Sequence, residues 1–346
     1  MTDAKIAAFR LSRHHLSNTG GADPATICRD ICGAQAQHLP SAFLQIWTRN
    51  RRTTRAEIER ALWDSRTLVR TSLMRQTLHI VPADEFAMYI AALRTSRVAA
   101  VLRIMARCKI TREESDALSE LILKALKDGP QAQPAIRAAV RPRVSSRVRA
   151  WMDKVSSMVR VPVAEGRICY GTGTDLVRVH QWLPAQPSMT EPEAQATLLR
   201  KYLRAYGPAT IQDFAYWCGI PVKDCPRVVE SIKAELVDIA GHGMLLVEDL
   251  KTLQSARTLS GLRLLPGFDP LLLAHRAKDH LVEESYYKRV FRDQWWISPV
   301  ILKDGRIVGT WSHKLVRGHC SVDTDAWEKL PAKALAEQVS GVAAFL

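Results

Sequence analysis

The 346-residue sequence contains no apolar run approaching the ~20 residues needed to span a bilayer, and its opening Met1-Thr2-Asp3-Ala4-Lys5 has no signal-peptide core. A membrane-embedded or exported protein is therefore not expected, and the expected location is the cytoplasm. The seven cysteines include no C-x-x-C pair. An odd count without paired spacing argues for reduced thiols rather than a disulfide framework. Cys28 and Cys32 lie one helical turn apart. That spacing suits a pair of metal ligands, but it more often marks small apolar side chains on a buried helix face, and no metal or other cofactor is expected. Gly171-Thr172-Gly173-Thr174 lacks the strand-to-helix context and the lysine of a phosphate-cradling loop, so it reads as a turn. No H-x-E with P-C-x-x-C occurs, which argues against zinc-dependent deamination.

Acidic residues are also short. There are 35 Asp+Glu against 49 Lys+Arg, a net charge of +14. Such an excess points to a polyanionic partner, most simply nucleic acid; a generally basic protein is the plain alternative. Apolar residues make up 47%, enough for buried cores, and the length fits two to four modules. No low-complexity linker interrupts the chain, so the modules should pack as one rigid body.

Helix-start chemistry recurs along the sequence. Asp23-Pro24 reads as an N-cap followed by proline at the first helical position. Thr54-Arg55-Ala56-Glu57 and Thr111-Arg112-Glu113-Glu114 fit capping boxes, and Thr210-Ile211-Gln212-Asp213 caps another helix that ends at Gly219. Thr77-Leu78-His79-Ile80-Val81 alternates as a strand, with Arg75, Thr77 and His79 on one face. Met158–Val163 and Arg167–Tyr170 read as two strands, and Pro221–Glu235 as a helix. Val237–Ile239 and Met244–Val247 flank a tight turn, as in a wing. Helices followed by a two-stranded hairpin make the winged-helix pattern, here in three units covering 1–108, 109–186 and 187–256. In residues 257–346, the stretches Thr258–Leu265, Gln294–Leu302 and Arg306–Trp311, with a hairpin signal at Asp304-Gly305, predict a small antiparallel β-barrel. The fold class is α+β, mainly α.

The residues that stand out chemically are Gln35-Ala36-Gln37. A helix would set the two amides on different faces, whereas an extended segment would set them on one side. Gly33 before and Pro40 after favour a non-helical segment. Two amides on one side can hold a water between them, since each offers an acceptor and two donors and neither is charged. Neither can act as a strong base. A solvated or capping loop without chemistry is the plain alternative.

The flanking segments Gly33-Ala34-Gln35-Ala36-Gln37-His38-Leu39-Pro40, Phe43-Leu44-Gln45-Ile46-Trp47-Thr48-Arg49, Arg75-Gln76-Thr77-Leu78-His79-Ile80-Val81 and Leu265-Pro266-Gly267-Phe268-Asp269-Pro270 resemble the AlkZ/AlkX group of winged-helix DNA glycosylases. The resemblance runs over nearly the whole chain in the same order. It implies that Gln35 and Gln37 are the ends of a catalytic Gln-apolar-Gln motif. The AlkX-like branch has an aspartate at the second end, so Gln37 places the chain nearer the AlkZ branch. Thr77 and His79 are implied as supporting site residues, with a satisfied structural histidine as the alternative for His79. Asp84 and Glu85 are explained by their place at a helix N-terminus.

The substrate implied is double-stranded DNA containing alkylated guanine, bound by a monomer. An N7-alkylated guanine already carries positive charge, so its glycosidic bond is weak and positioning a water can suffice without a general base. Arg49, Arg51, Arg52 and Arg75 are expected phosphate contacts, as are Arg276 and Lys278 downstream of Phe268-Asp269. The Arg137–Arg149 cluster is either a second such surface or a solvated face. Phe268, Trp295, Trp296 and Trp311 are expected to pack in the core, with stacking on bases as the alternative. The main rival function is a non-catalytic winged-helix transcription regulator.

Overall fold

The computed structural model describes residues 1–17, 19–155, 157–257, 261–317 and 319–346. The helix starts form where their chemistry predicts. The Asp23 carboxylate accepts from the Ala25 and Thr26 amides at the head of the Pro24–Asp30 helix. Reciprocal capping boxes open Arg55–Trp63, Arg112–Ala125 and Ile211–Cys218. Each such cap stabilises its helix by about 0.5–2 kcal/mol.

Five strands form one antiparallel sheet: β1 (Ala34–Gln35), β2 (Leu68–Ser72), β3 (Leu78–Pro82), β4 (Ile168–Tyr170) and β5 (Leu176–Arg178), in the order β1-β3-β2-β4-β5. Arg70 of β2 lies opposite Tyr170 of β4, so the sheet begun in the first hundred residues continues into residues 168–178. Alternation sends neighbouring side chains to opposite faces. Ala34, Leu68 and Ile80 join Ile27, Ile31, Phe43 and Ile58 in one core. Val69, Leu73 and Val81 point the other way, into a core shared with Tyr202, Tyr206, Phe214 and Trp217 of the Glu191–Tyr206 and Ile211–Cys218 helices. The second face of the sheet is thus roofed by these two helices.

Further along the chain comes the hairpin of β6 (Leu236–Ile239) and β7 (Gly243–Leu246), with Gly241 in the turn at φ 79°. The single helix expected over Pro221–Glu235 is broken into short pieces, of which only Cys225–Ser231 is α-helical. Pro226 explains the break: without an N–H it starts a helix better than it continues one. Met158–Val163 is not a strand. Arg160–Ala164 is a short helix that buries Val161 and Val163 against Leu118, Ile122 and Trp151. A short apolar run carries no period that separates the two forms.

The C-terminal region is an open sheet, not the expected barrel. Its strands β8 (Leu262–Leu265), β9 (Val300–Lys303), β10 (Arg306–Val316) and β11 (His319–Ala326) lie in the order β11-β10-β9-β8, and Asp304-Gly305 makes the predicted turn between β9 and β10. The outer strands do not pair. Instead the Ala332–Phe345 helix packs against both β8 and β11, and Val342 shares a core with Leu264, Ile301 and Trp311. Thr258, Leu259 and Ser260, the start of the stretch predicted over Thr258–Leu265, lie outside the described residues. Among the described residues no helix is long and apolar enough to cross a membrane.

Candidate active site

Gly33 sets the path into β1. It is left-handed at φ 97°, and a Cβ there would lie 2.8 Å from Val81 Cγ1, so a side chain would collide with β3. The chain then forms the two-residue strand Ala34–Gln35 and bends at Gln37-His38 before Pro40 sits in the first turn of the Leu39–Trp47 helix. Gln35 pairs with His79 across the β1–β3 ladder, and His79 pairs in turn with Thr71 of β2. Ala36 N donates to Leu78 O at 2.7 Å, carrying the antiparallel contact past the last paired residue. Gln35, His79 and Thr71 therefore form a polar row on the roofed face of the sheet. The ladder stops after Gln35, and Gln37 lies in the bend that follows, with Ala36 O turned to Arg70 instead of Leu78 N. Gln35 is only 5% exposed, whereas Gln37 is open to solvent. The pair spans the rim from interior to surface.

The motif is held from several sides. Gln45 Nε2 donates to Gln35 O at 3.1 Å, and Arg70 Nη2 donates to Ala36 O at 3.1 Å. Arg75 Nη2 donates to Gln35 Oε1 at 3.1 Å, and Leu78 N donates to Gln37 Oε1 at 2.8 Å. Because guanidinium and backbone amide can only donate, both side-chain oxygens are fixed in place and each NH₂ points away from its clamp. Each carbonyl keeps a second lone pair for another donor.

Arg75, expected to contact a phosphate, is turned inward instead, with Nη2 on Gln35 Oε1 and Nη1 donating to Trp217 O at 2.6 Å. It sits in the β2–β3 turn, where Arg75 and Gln76 both have positive φ, 54° and 61°. Gly219, left-handed at the end of the Ile211–Cys218 helix, packs there; a Cβ on it would approach Arg75 N to 3.3 Å. Thr77 Oγ donates to Met74 O at 3.0 Å and helps close the same turn.

His79 Nδ1 lies 2.9 Å from Thr77 O, which requires the proton on Nδ1 and leaves Nε2 as an acceptor. Burial, reinforced by the nearby Arg75 charge, lowers its pKa to about 3. The ring is neutral throughout the physiological range, an acceptor but a weak base. Thr71 Oγ, at the inner end of the row, is buried with no hydrogen-bond partner among the described residues.

The expected DNA contacts divide. Arg52 and Arg276 are exposed. Arg51 is half-buried, donates to Gln338 and lies over the Trp47 ring at 5.1 Å, so it ties down the C-terminal helix. Arg49 is corrected. Its side chain is fully buried, with bidentate bonds to Asp269 at 2.8 and 2.9 Å and a third contact to His14 Nδ1 at 3.1 Å. It cannot reach a phosphate. Lys278 is corrected too. It is buried between the Tyr216 and Phe291 rings, at 5.1 and 5.4 Å, and donates to His275 O. Burial, with Arg75 nearby, lowers its pKa to about 7.

In the 137–149 cluster, Arg137 binds the Met152 and Val155 carbonyls, Arg141 pairs with Asp153 and Arg147 with Glu114. Asp84 and Glu85 pair with Arg29, and Glu85 also with Lys201. Cys28 and Cys32 are buried, with their thiols pushed up to about 12 by desolvation.

A family model for DNA glycosylases of the AlkZ-like type matches residues 28–345. The chain belongs to the AlkZ-like family. It is 29% identical to the interstrand DNA cross-link repair glycosylase of Streptomyces sahachiroi, over 98% of this chain and 95% of that protein. The solved structure of the Streptomyces sahachiroi DNA glycosylase AlkZ superposes with a TM-score of 0.86 and 24% identity, covering 100% of this chain and 96% of that one. Family membership accounts for the order of the sequence motifs, and the shared fold for their convergence on one sheet edge.

Gln45, Arg70 and Thr71 were not singled out from the sequence. Gln45 left a trace there, as a lone polar residue between Leu44 and Ile46 in an apolar helix. Arg70 and Thr71 left none, because a buried polar residue in a strand reads like an exposed one.

Proposed function

We propose that this chain is a monofunctional DNA glycosylase that hydrolyses the N-glycosidic bond of N7-alkylguanine, including bulky or crosslinked adducts, in duplex DNA. The observation that carries this reading is the clamped Gln35-Ala36-Gln37 segment, with both side-chain amide oxygens held by donors and Gln35 opposite a neutral His79, in a chain of the AlkZ-like family. Gln35 and Gln37 hold a water through their free NH₂ groups and remaining carbonyl lone pairs. The C1′–N9 bond breaks, and the cationic nucleobase departs neutral without needing a proton. The water oxygen bonds to C1′ of the oxocarbenium-like sugar and its proton passes to solvent, leaving an abasic site.

No residue in the row is a strong base, so the rate must come from fixed geometry and electrostatic fit. Arg70, Arg75 and Gln45 supply that fixity through hydrogen bonds to the motif. Thr77 and His79 support it, the latter as a neutral acceptor. Exposed Arg52 and Arg276 engage phosphates, giving binding that weakens steeply with salt. The relative named for cross-link repair supports a bulky or crosslinked adduct as the substrate. The protein acts as a monomer built of three winged-helix units, residues 1–108, 109–186 and 187–256, with residues 257–346 as the C-terminal module.

The test is base release. Purified protein is incubated with a duplex containing one N7-methylguanine, and separately with one containing a crosslinked N7-alkylguanine, and the free base is quantified. Release from either, with an abasic site left in the strand, supports the reading. Absence of release from both would overturn it.

A further inference from the structure

Trp295 is 89% exposed and Trp296 51%, in a chain whose other large apolar side chains are mostly buried. Both lie in a tight turn. Arg292 N donates to Trp296 O at 2.9 Å, and Phe291 bridges to Ile297. The two central residues, Gln294 and Trp295, have φ of 58° and 63°. This left-handed pair is the geometry usually supplied by Asn-Gly. A tryptophan held in such a backbone, pointing at water, is costly twice over and calls for a partner.

The turn stands on a firm base next to the glutamine motif. The Phe268 ring meets Trp296 edge-on at 5.2 Å. A Cβ at Gly267 would come within 2.8 Å of Ile297 O, so the Gly267-Phe268 turn is packed directly against the foot of the tryptophan turn. Gln45 Nε2 bonds both Gln35 O and Phe268 O, at 3.1 and 3.3 Å. One side chain thus joins the catalytic segment to the aromatic support. Lys288 and Arg292 are exposed beside the tryptophans, and Tyr287 is 42% exposed.

We propose that the Asp293–Trp296 turn inserts into the base stack of duplex DNA beside the lesion, with Trp295 as the wedge and Trp296, backed by Phe268, stacking on the displaced base. Lys288 and Arg292 hold the flanking phosphates. Basic side chains around exposed aromatics match nucleic acid: the cations take the phosphates and the rings take the bases. Apolar wedges in DNA-bending proteins pry steps apart in this way. The inference rests on the glycosylase reading for its purpose. A base tethered to the opposite strand cannot swing out, so opening the neighbouring step gives water access to C1′.

The test uses the full-length protein and a duplex with one N7-methylguanine flanked by 2-aminopurine, whose fluorescence rises when it unstacks. Wild type should raise the signal several-fold on binding. Trp295→Ala should abolish the rise and weaken Kd about tenfold, while Trp295→Phe keeps most of both. Exposure of the residue means the Tm should not move. No rise with wild type, or an equal rise and Kd with Trp295→Ala, would overturn the inference, and the turn would then be a docking site for another protein. Base release measured in parallel separates the two readings. A tryptophan-dependent rise without release keeps insertion and refutes the glycosylase. Release with no tryptophan-dependent rise does the reverse.

Discussion

Arg49 and Arg75 look alike in the sequence, each a basic residue close behind a glutamine-bearing or strand segment, yet they do opposite work. Arg49 is sealed between Gln45, His14 and Asp269, with both ends of its fork matched by the Asp269 carboxylate. Asp269 also accepts from Leu271 N at the start of the Pro270–Leu273 helix. That junction fastens the N-terminal helix and the first unit to the C-terminal module. Among the described residues Arg75 has no carboxylate partner. It holds two neutral oxygens, the Trp217 carbonyl and the Gln35 side chain, at the edge of the open rim. A buried ion matched by a bidentate carboxylate is a structural fastener. A buried cation facing the dipole of an amide in the motif positions that amide.

The largest expected effect lies on the structural side. Arg49→Met leaves the Asp269 carboxylate buried without its partner and should cost about 3–5 kcal/mol of stability, read as a lower Tm or urea midpoint. Release per folded molecule should change little. A large loss of release at unchanged stability would break the distinction. Next is Arg75→Met, which frees the Gln35 amide to rotate. It should slow release about 10- to 100-fold with a small Tm change, and Arg75→Lys should recover only part, because one ammonium cannot span both oxygens.

Acid sharpens the comparison, since each arginine depresses a buried histidine: Arg49 acts on His14 and Arg75 on His79. Desolvation is the larger cause in both, and it holds His14 and His275 well below 6.5 and His79 and His280 at about 3. Between about pH 3 and 6.5 the unfolded chain binds protons at these rings that the native state does not. Stability therefore rises with pH across that window, and falls as pH drops below 6.5. The loss should be on the order of 2 kcal/mol per ring by pH 5, so the Tm should drop markedly from pH 7 to 5. Release per folded molecule should stay flat between about pH 5.5 and 8, because His79 remains neutral. The smallest effect is expected for Arg52→Ala: an unchanged Tm, with the salt slope of DNA binding reduced by about one.

The legible part of the fold was set by local chemistry. The caps at Asp23, Thr54, Thr111 and Thr210 formed as read, because a cap needs only its own first turn. Alternation in Thr77–Val81 likewise foretold the Leu78–Pro82 strand that sets His79 opposite Gln35, but Arg75, expected on the same strand face as Thr77 and His79, lies in the left-handed turn before it. Non-local facts were not legible. Sheet closure depends on whether β8 meets β11, and the Ala332–Phe345 helix lies against both instead. The burial of Arg49 depends on Asp269, 220 residues away. Lys278 followed the same pattern, since only the fold brings Tyr216 and Phe291 around it. The tryptophans misled in the other direction: Trp311 is in the core with its indole N–H on Leu265 O, while Trp295, in a similar apolar stretch, is thrust outward by two left-handed residues.

The central claim is that two clamped, uncharged amides deliver water to the sugar. Single-turnover release of N7-methylguanine from a duplex, measured with Kd for wild type, Gln35→Ala and Gln37→Ala, tests it most directly. Each variant should release base about a hundredfold or more slowly, with Kd within a few-fold of wild type. Release at the wild-type rate by both variants, or a defect confined to Kd, would contradict it.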